Sequence, residues 1–179
     1  MNKLLKIFKI KDLRKKIMIV AALLVIFRIL AAIPIPGIDA ARLKDFFSSN
    51  QLFGFLGVMM GGALSNLSII MLGVGPYITA TIIMQLLTMI FPKFKEMYYE
   101  EGAAGRAKFN RYSRYLTVPL AALQSYAFLN LLVSQNVLPS PGPFDIFKNI
   151  VVITAGSMVL MWLGELITEQ KIGNGISLI

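Results

Sequence analysis

The sequence predicts an all-α integral membrane protein with four transmembrane helices. Of its 179 residues, 56% are hydrophobic and 15% are charged, against roughly 45–50% and 25% in soluble domains. The uncharged residues also form long runs, and a helix needs about 20 such residues to cross a bilayer. The chain has neither cysteine nor histidine, which excludes disulfides, thiolate catalysis and the commonest metal ligand.

The first predicted span covers residues 17–36 and follows a basic segment at residues 1–16. It ends where Pro34 and Pro36 prevent a continuing helix. Arg28 lies within this span. We expect Arg28 to have a structural role or to extend its side chain to the membrane–water interface. Both are favoured over contact with a substrate.

The stretch from Phe46 to Pro92 has no charged residue and is long enough for two spans, or for one span and another element. Its first part, up to Ser68, is rich in Gly, Ser, Asn and Gln and is therefore a poor lipid-facing helix. Residues 69–91 are far more apolar and form the second predicted span. Two arrangements fit Phe46–Ser68, which belongs to the external segment 37–68. It forms either a short helix that dips back into the membrane or an amphipathic helix on the outer surface.

The distribution of basic residues favours a single crossing in this stretch. Seven basic residues precede Ile17, and six lie between Pro92 and Tyr115. Cytoplasmic loops of membrane proteins carry an excess of Lys and Arg. One crossing keeps both basic segments on the cytoplasmic side, whereas two crossings would require the second segment to be translocated.

The rest of the chain follows the same pattern. It is assigned as a cytoplasmic basic loop at 92–114, a third span at 115–135, an external loop at 136–148, a fourth span at 149–168 and a cytoplasmic tail at 169–179. Glu165 is the acidic residue near the hydrocarbon of the last span. Without a paired carboxylate, a Ser–His pair or a metal-ligating set, the sequence predicts no catalytic residue, no metal site and no cofactor. The basic residues flank the spans without interleaved aromatics, so nucleic-acid binding is not expected.

Gly73, Gly75 and Pro76 interrupt the second span. Pro76 cannot donate a hydrogen bond to the carbonyl of Leu72, so it should kink the helix or start it. Broken helices often lie beside a conduit or a binding site. A packing kink is the alternative, because Gly and Pro are common in membrane helices.

The interruption lies within the stretch Ser68-Ile-Ile-Met-Leu-Gly-Val-Gly-Pro-Tyr-Ile-Thr-Ala-Thr-Ile-Ile-Met-Gln-Leu-Leu87. This stretch resembles the SecY family, the main subunits of bacterial protein-conducting channels. Further similarity lies in Phe27-Arg28 with residues 33–39, in residues 61–65, in Gly105-Arg106 with residues 112–115, and in residues 161–165 with 173–177. One departure is Lys171, which stands where the family usually has glycine.

The resemblance implies the N-terminal half of such a channel, with four spans and a short re-entrant plug helix. It implies that the plug contains Gly57, Gly61, Gly62, Ala63, Leu64, Ser65 and Asn66. It also implies that Val74 and Ile78 contribute to an apolar pore ring. The lateral gate is then expected at Thr79, Ile82, Ile83 and Gln85 on the second span and at Gln124 on the third.

The same resemblance implies a protein-translocation subunit of the bacterial cytoplasmic membrane with a cytoplasmic N-terminus. The implied partners are the remaining half of the channel with spans five to ten, SecE, SecG, the SecA motor or the ribosome, secretory polypeptides with signal sequences, and membrane lipids. The chain stops before the family's fifth span and is expected to be partial or to assemble with another chain. A non-conducting scaffold or insertase-like helper with the same half-fold is the alternative function.

Overall fold

The computed structural model describes residues 11–35, 55, 67–135, 138 and 142–179. Its helices are α1 (Lys11–Ala31), α2 (Gly75–Ile90), α3 (Pro92–Tyr99), α4 (Gly102–Ser134), α5 (Pro143–Glu169) and α6 (Gly175–Leu178). The described ranges contain no β-strand, and the only extended pairing among them is an isolated antiparallel bridge between Pro34 and Ser68. The predicted all-α class is confirmed.

Proline determines where α2 begins and where it ends. The helix starts at Gly75 with Pro76 in its first turn, a position where the missing N–H of proline costs no hydrogen bond. Pro76 therefore starts the helix, and residues 67–74 before it form turns. At the other end, Phe91 is extended because Pro92 disfavours the helical conformation in the residue before it. The chain bends by 111° at this point and continues as α3.

Helix α4 is longer than the predicted third span. It has 33 residues, which at a rise of 1.5 Å per residue amounts to about 50 Å. The hydrocarbon core of a bilayer is only about 30 Å thick. The second half of the predicted basic loop is therefore helical and continues the span beyond the hydrocarbon.

Within the described ranges, α4 and α5 are long and apolar enough to cross a membrane, and the bent pair α2–α3 raises the number to three. Helix α1 falls short by this measure because Arg14, Lys15 and Lys16 occupy its first part and Arg28 its last turn. The guanidinium carbon of Arg28 lies 5.8 Å from the centre of the Phe27 ring. A fourth crossing by the first predicted span stays a prediction.

The apolar clusters define how the helices run relative to one another. Ile35 packs with Ile153, whereas Ala31 packs with Leu160 and Leu163, so α1 runs antiparallel to α5. Leu129 packs beside Ile153, and α4 is likewise antiparallel to α5. Helix α2 starts beside Leu160 and Leu163, where Val74 joins their cluster.

These directions bring most of the positive charge to one end of the bundle. Helices α1 and α4 begin there, and α2 and α5 end there. We call it the basic end, because among the described residues it carries Arg14, Lys15, Lys16, Lys93, Lys95, Arg106, Lys108, Arg111, Arg114 and Lys171. The opposite end carries Arg28 and Lys148 among the same residues.

The buried face of α4 consists mainly of small and hydroxyl-bearing side chains at four-residue spacing. It comprises Gly105, Phe109, Ser113, Thr117, Ala121, Ser125 and Leu129. The hydroxyls of Ser113, Thr117 and Ser125 donate to carbonyls one turn earlier at 3.1, 2.8 and 2.6 Å. Small side chains allow neighbouring helices to approach closely, and the intrahelical hydrogen bonds satisfy these hydroxyls inside the bundle.

Candidate functional site

The turns before α2 lie inside the protein. Leu67 and Ser68 are fully buried, and Ile70 and Met71 are each 1% exposed. The Met71 N–H donates to the Ser68 carbonyl at 2.9 Å, and the Gly73 N–H donates to the Ile70 carbonyl at 2.8 Å. Non-helical backbone is tolerated at membrane depth where protein buries it. The second predicted span is therefore a buried series of turns followed by a helix.

Two glycines make this arrangement possible. The carbonyl of Ile69 packs against the Cα of Gly156 on α5, where a Cβ would collide with that carbonyl. Gly73 has a φ of +60°, in the left-handed region that glycine adopts without strain. Residues 67–74 thus pack closely on α5, and α2 begins directly after them.

The residues on either side of the segment 36–66 are hydrogen-bonded to each other. The Ile35 N–H donates to the Leu67 carbonyl at 2.9 Å, and the Ile69 N–H donates to the Ile33 carbonyl at 3.1 Å. The chain therefore returns to the place from which it left the end of α1. The predicted plug residues Gly57, Gly61, Gly62, Ala63, Leu64, Ser65 and Asn66 lie outside the described residues.

Val74 and Ile78, the residues assigned to a pore ring, are one helical turn apart. The Ile78 N–H donates to the Val74 carbonyl at 3.0 Å. Their surroundings differ, because Val74 is half-buried against the cluster of Ala31 and Leu160, whereas Ile78 is 43% exposed. Ile78 is thus the residue of the pair that is open to contact from outside the bundle.

One face of α2 is exposed over the length of the helix. It comprises Ile78, Ile82, Gln85, Leu86 and Met89, and we call it the apolar face of α2. The opposite face, with Tyr77, Ala80 and Met84, is buried. Helix α2 therefore presents a mainly aliphatic stripe that no described residue covers.

The predicted gate residues lie on this face or close to it. Ile82 and Gln85 belong to the face, whereas Thr79 and Ile83 are half-buried beside it, and the Thr79 hydroxyl donates to the Gly75 carbonyl at 3.0 Å. Gln124 is half-buried on α4. Sequence reasoning missed Leu86 and Met89, although their spacing of four and seven residues from Ile82 is the helical signal that includes them.

A cleft of about 480 Å³ opens at the basic end, between α2, α4, α5 and the segment after α5. We call it the basic-end cleft, and Tyr77, Asn110, Arg114, Glu165, Thr168 and Glu169 are among its lining residues. Within it, Arg114 Nε donates to Glu165 Oε1 at 2.8 Å. This pairing is not visible in the sequence, because Arg114 lies 51 residues before Glu165 along the chain. The described residues contain no group of three or more metal-ligating side chains.

Comparison with known proteins identifies the family. The SecY family model matches residues 68–179, which include the buried turns, the apolar face of α2 and the basic-end cleft. The chain belongs to the SecY family. It is 42% identical over 192 residues to the SecY translocase subunit of Corynebacterium glutamicum, covering 100% of this chain and 43% of that protein. It is 44% identical over 178 residues to the SecY subunit of Halalkalibacterium halodurans, covering 97% of this chain and 40% of that protein.

Solved structures of SecY-type channels share this fold. Sec61 in the canine ribosome–channel complex of the endoplasmic reticulum matches with a TM-score of 0.62 and 25% identity, covering 91% of this chain and 34% of the other. A second match is a SecY structure whose plug domain stabilises the closed state of the channel. It has a TM-score of 0.61 and 25% identity, covering 91% of this chain and 33% of the other. With its apolar helices, this SecY-family chain is a multi-pass membrane protein. It spans about two fifths of the length of the curated SecY proteins that it matches.

The departure from the SecY pattern at Lys171 has a visible structural setting. Lys171 has a φ of +56°, a left-handed conformation that favours glycine. Its N–H donates to the Thr168 carbonyl at 3.0 Å in the turn that ends α5. The lysine keeps the turn but holds a conformation that is strained for a residue with a Cβ.

Proposed function

We propose that this chain forms one side of a SecY-type channel that passes secretory polypeptides across the cytoplasmic membrane of a bacterium and releases membrane proteins laterally into it. The observation that carries the proposal is the apolar face of α2, which is exposed along the helix while the opposite face is packed against α4. The relatives named as translocase subunits support the same function.

Ile78 and Val74 provide this side of the constriction. An aliphatic ring excludes ions when it is closed, because an apolar constriction dewets. It also offers no hydrogen bond that would retain a passing polypeptide. The exposure of Ile78 at the start of α2 supports this role, and Val74 lies behind it, where α1 and α5 meet.

The lateral gate lies along α2 and the neighbouring part of α4. Ile82 and Gln85, with Leu86 and Met89, offer a surface on which an apolar signal sequence can pack. Thr79 and Ile83 border this surface, and Gln124 marks its continuation on α4. Closure of the gate requires a second surface, supplied by the remaining half of the channel with spans five to ten.

The basic end faces the cytoplasm, and the N-terminus lies on that side. The hydrogen bonds between residues 33–35 and 67–69 support the single crossing that this orientation needs, because they place both flanking residue groups at the same end of the bundle. SecE and SecG complete the complex in the membrane, and the SecA motor or the ribosome delivers polypeptides at the basic end.

Single-cysteine crosslinking tests this function, because the chain has no native cysteine. A secretory polypeptide arrested in transit should crosslink to Ile78→Cys and Ile82→Cys. The matched control is Val151→Cys on α5, whose side chain is 50% exposed and close to the 51% of Ile82. Equal crosslinking at all three positions, or none at the two α2 positions, would favour the non-conducting scaffold.

A further inference from the structure

The outward side of α4 carries polar side chains at the depth of the hydrocarbon. The uncharged part of α4, from Arg114 to the helix end at Ser134, measures about 30 Å, which is the thickness of the hydrocarbon core. Tyr126 lies about 18 Å and Asn130 about 24 Å from Arg114 along the helix. Both side chains are exposed, Tyr126 by 50%. Neither side chain forms a hydrogen bond with another described residue.

The exposed side of α5 has a different composition in the same layer of the bundle. Leu129 of α4 and Ile153 of α5 belong to one core cluster, so these parts of the two helices lie side by side. The exposed residues of α5 around this level are Val151, Ala155 and Val159, which have no polar side-chain atom. Hydrocarbon offers no partner for a hydrogen bond. The side of α5 is therefore suited to lipid, whereas the hydroxyl and the amide on α4 would stay unpaired there.

The exposed residues of α4 have the spacing of a contact line between two helices. We call them the outer stripe of α4. Its members are exposed and follow one another at intervals of four, three and four residues, namely Pro119, Leu123, Tyr126 and Asn130. Intervals that alternate between four and three place residues along the line on which one further helix packs. The outer stripe thus has the geometry to receive one membrane-spanning helix.

A second copy of this chain supplies matching groups at the right depth. Copies inserted in the same direction hold their α4 helices parallel, so equal residues lie at equal depth. Leu123 and Asn130 are seven residues apart and correspond to the a position of a heptad, where one Asn fixes register and the number of helices. A carboxamide has two N–H donors and an acceptor oxygen, so two facing Asn130 side chains satisfy each other. A helix of another protein would need its own polar residue at this depth.

The surroundings of the outer stripe are compatible with this contact. Ala122 and Ala127 border it, and small side chains allow two membrane helices to approach closely. Towards the basic end the same line turns into the bundle, because Phe109, fourteen residues before Leu123, is 2% exposed. Two copies therefore diverge before their basic residues meet.

We propose that two copies of this chain associate through the outer stripe of α4, with their Asn130 amides hydrogen-bonded to each other and their Tyr126 rings packed beside them. The association requires α4 to cross the membrane and is independent of the proposed function. Gln124, the predicted gate residue of α4, lies two residues before Tyr126 and thus about 200° around the helix. The contact leaves that side of α4 uncovered.

Disulfide formation in native membranes tests the geometry, because the chain has no native cysteine. After oxidation with copper phenanthroline, Leu123→Cys should give a product of twice the chain mass. The matched control is Val118→Cys, which is 42% exposed on another side of the same helix and should stay monomeric. Equal products at both positions, or none at Leu123→Cys, would overturn the proposal. Linkage of Leu123→Cys to a protein of another mass alone would assign the stripe to a different partner and overturn it as well.

Energy transfer between labelled copies measures what the amide contributes. The chain is purified with its bound partners, labelled at Lys95→Cys on the exposed side of α3, and reconstituted over a range of protein-to-lipid ratios. Asn130→Leu should lower the association constant about 3- to 30-fold, the effect of an interhelical hydrogen bond in a membrane.

Asn130→Gln is the matched control, because it keeps the carboxamide and should retain most of the association. Asn130 is exposed, so both substitutions are compatible with folding. Unchanged association in Asn130→Leu, or an equal loss in both variants, would overturn the pairing of the amides.

Discussion

At the scale of single residues, exposure separates two isoleucines that hydropathy alone does not distinguish. Ile78 is 43% exposed at the start of α2, whereas Ile153 on α5 is fully buried. In the sequence both are aliphatic residues within apolar runs. The difference arises because residues 67–74 are wound into turns, which bring Ile153 into the core and leave Ile78 at its edge.

Ile78→Asn should leave the yield of folded protein near that of the unchanged chain and should raise ion conductance in the assembled channel. A polar side chain at this position needs no buried partner and allows water into the constriction. Ile153→Asn should reduce the yield, because an amide buried without partners costs about 2–7 kcal/mol. Yield and conductance are measured together after reconstitution, and loss of yield with Ile78→Asn would show that this residue serves packing.

Lys171→Gly should stabilise the protein by roughly 0.5–1 kcal/mol. A left-handed residue with a Cβ costs roughly 1–2 kcal/mol, and the greater flexibility of glycine in the unfolded state offsets about 0.5–1 kcal/mol of the gain. Thermal unfolding in detergent measures the change. Ile172→Gly is the control, since Ile172 has no positive φ, and it should destabilise the turn. A lower melting temperature for Lys171→Gly would contradict the strain at this turn.

At the scale of elements, the sequence predicted which segments are helical better than it predicted where each helix begins and ends. Pro34 and Pro76 act locally, so the end of α1 before Pro34 and a kink or start at Pro76 follow from the chain alone. The extension of α4 towards Gly102 was missed because Arg106, Lys108 and Arg111 read as a loop by hydropathy, although they are compatible with a helix outside the hydrocarbon.

Contacts between distant residues account for the remaining differences. The hydrogen bonds between residues 33–35 and 67–69 join positions that lie far apart in the sequence. The Arg114–Glu165 pair joins two helices whose relative position no local pattern encodes. Of the candidate site, the face of α2 was accessible through helical spacing, whereas the cleft required the packing of four separate elements.

Gly156→Ala should destabilise the bundle and displace the turns before α2. The added Cβ meets the Ile69 carbonyl, which belongs to the backbone and has little freedom to move. Overpacking of this kind costs about 1–3 kcal/mol. Thermal stability in detergent gives the measurement, and Gly142→Ala is the matched control because its Cβ approaches no atom closer than 3.8 Å. Equal melting temperatures for the two variants would contradict the close approach.

At the scale of the whole molecule, the bundle is polarised from end to end. Most of the described basic residues lie at one end, although they come from segments that are far apart in sequence. The shared fold with SecY-type channels, at a TM-score of 0.62, is compatible with this polarity. If the basic end faces the cytoplasm, the position of a residue along the bundle predicts from which side of the membrane an impermeant reagent reaches it.

Lys108→Cys should react with an impermeant thiol reagent in inverted vesicles and stay unlabelled in intact cells. Phe144→Cys, at the opposite end and 76% exposed, should show the reverse. Both positions are exposed, so the difference reports the side of the membrane. Labelling of Lys108→Cys from outside intact cells would invert the proposed orientation.

The backbone hydrogen bonds between residues 33–35 and 67–69 also make the bundle modular. These hydrogen bonds fix the two flanking stems next to each other, whatever sequence joins them. Doubling the length of a flexible loop costs only about 0.6 kcal/mol in closure entropy. Segments of other lengths and compositions can therefore be grafted between the same stems while the helices keep their packing, which makes this junction a natural point for building chimeric channels.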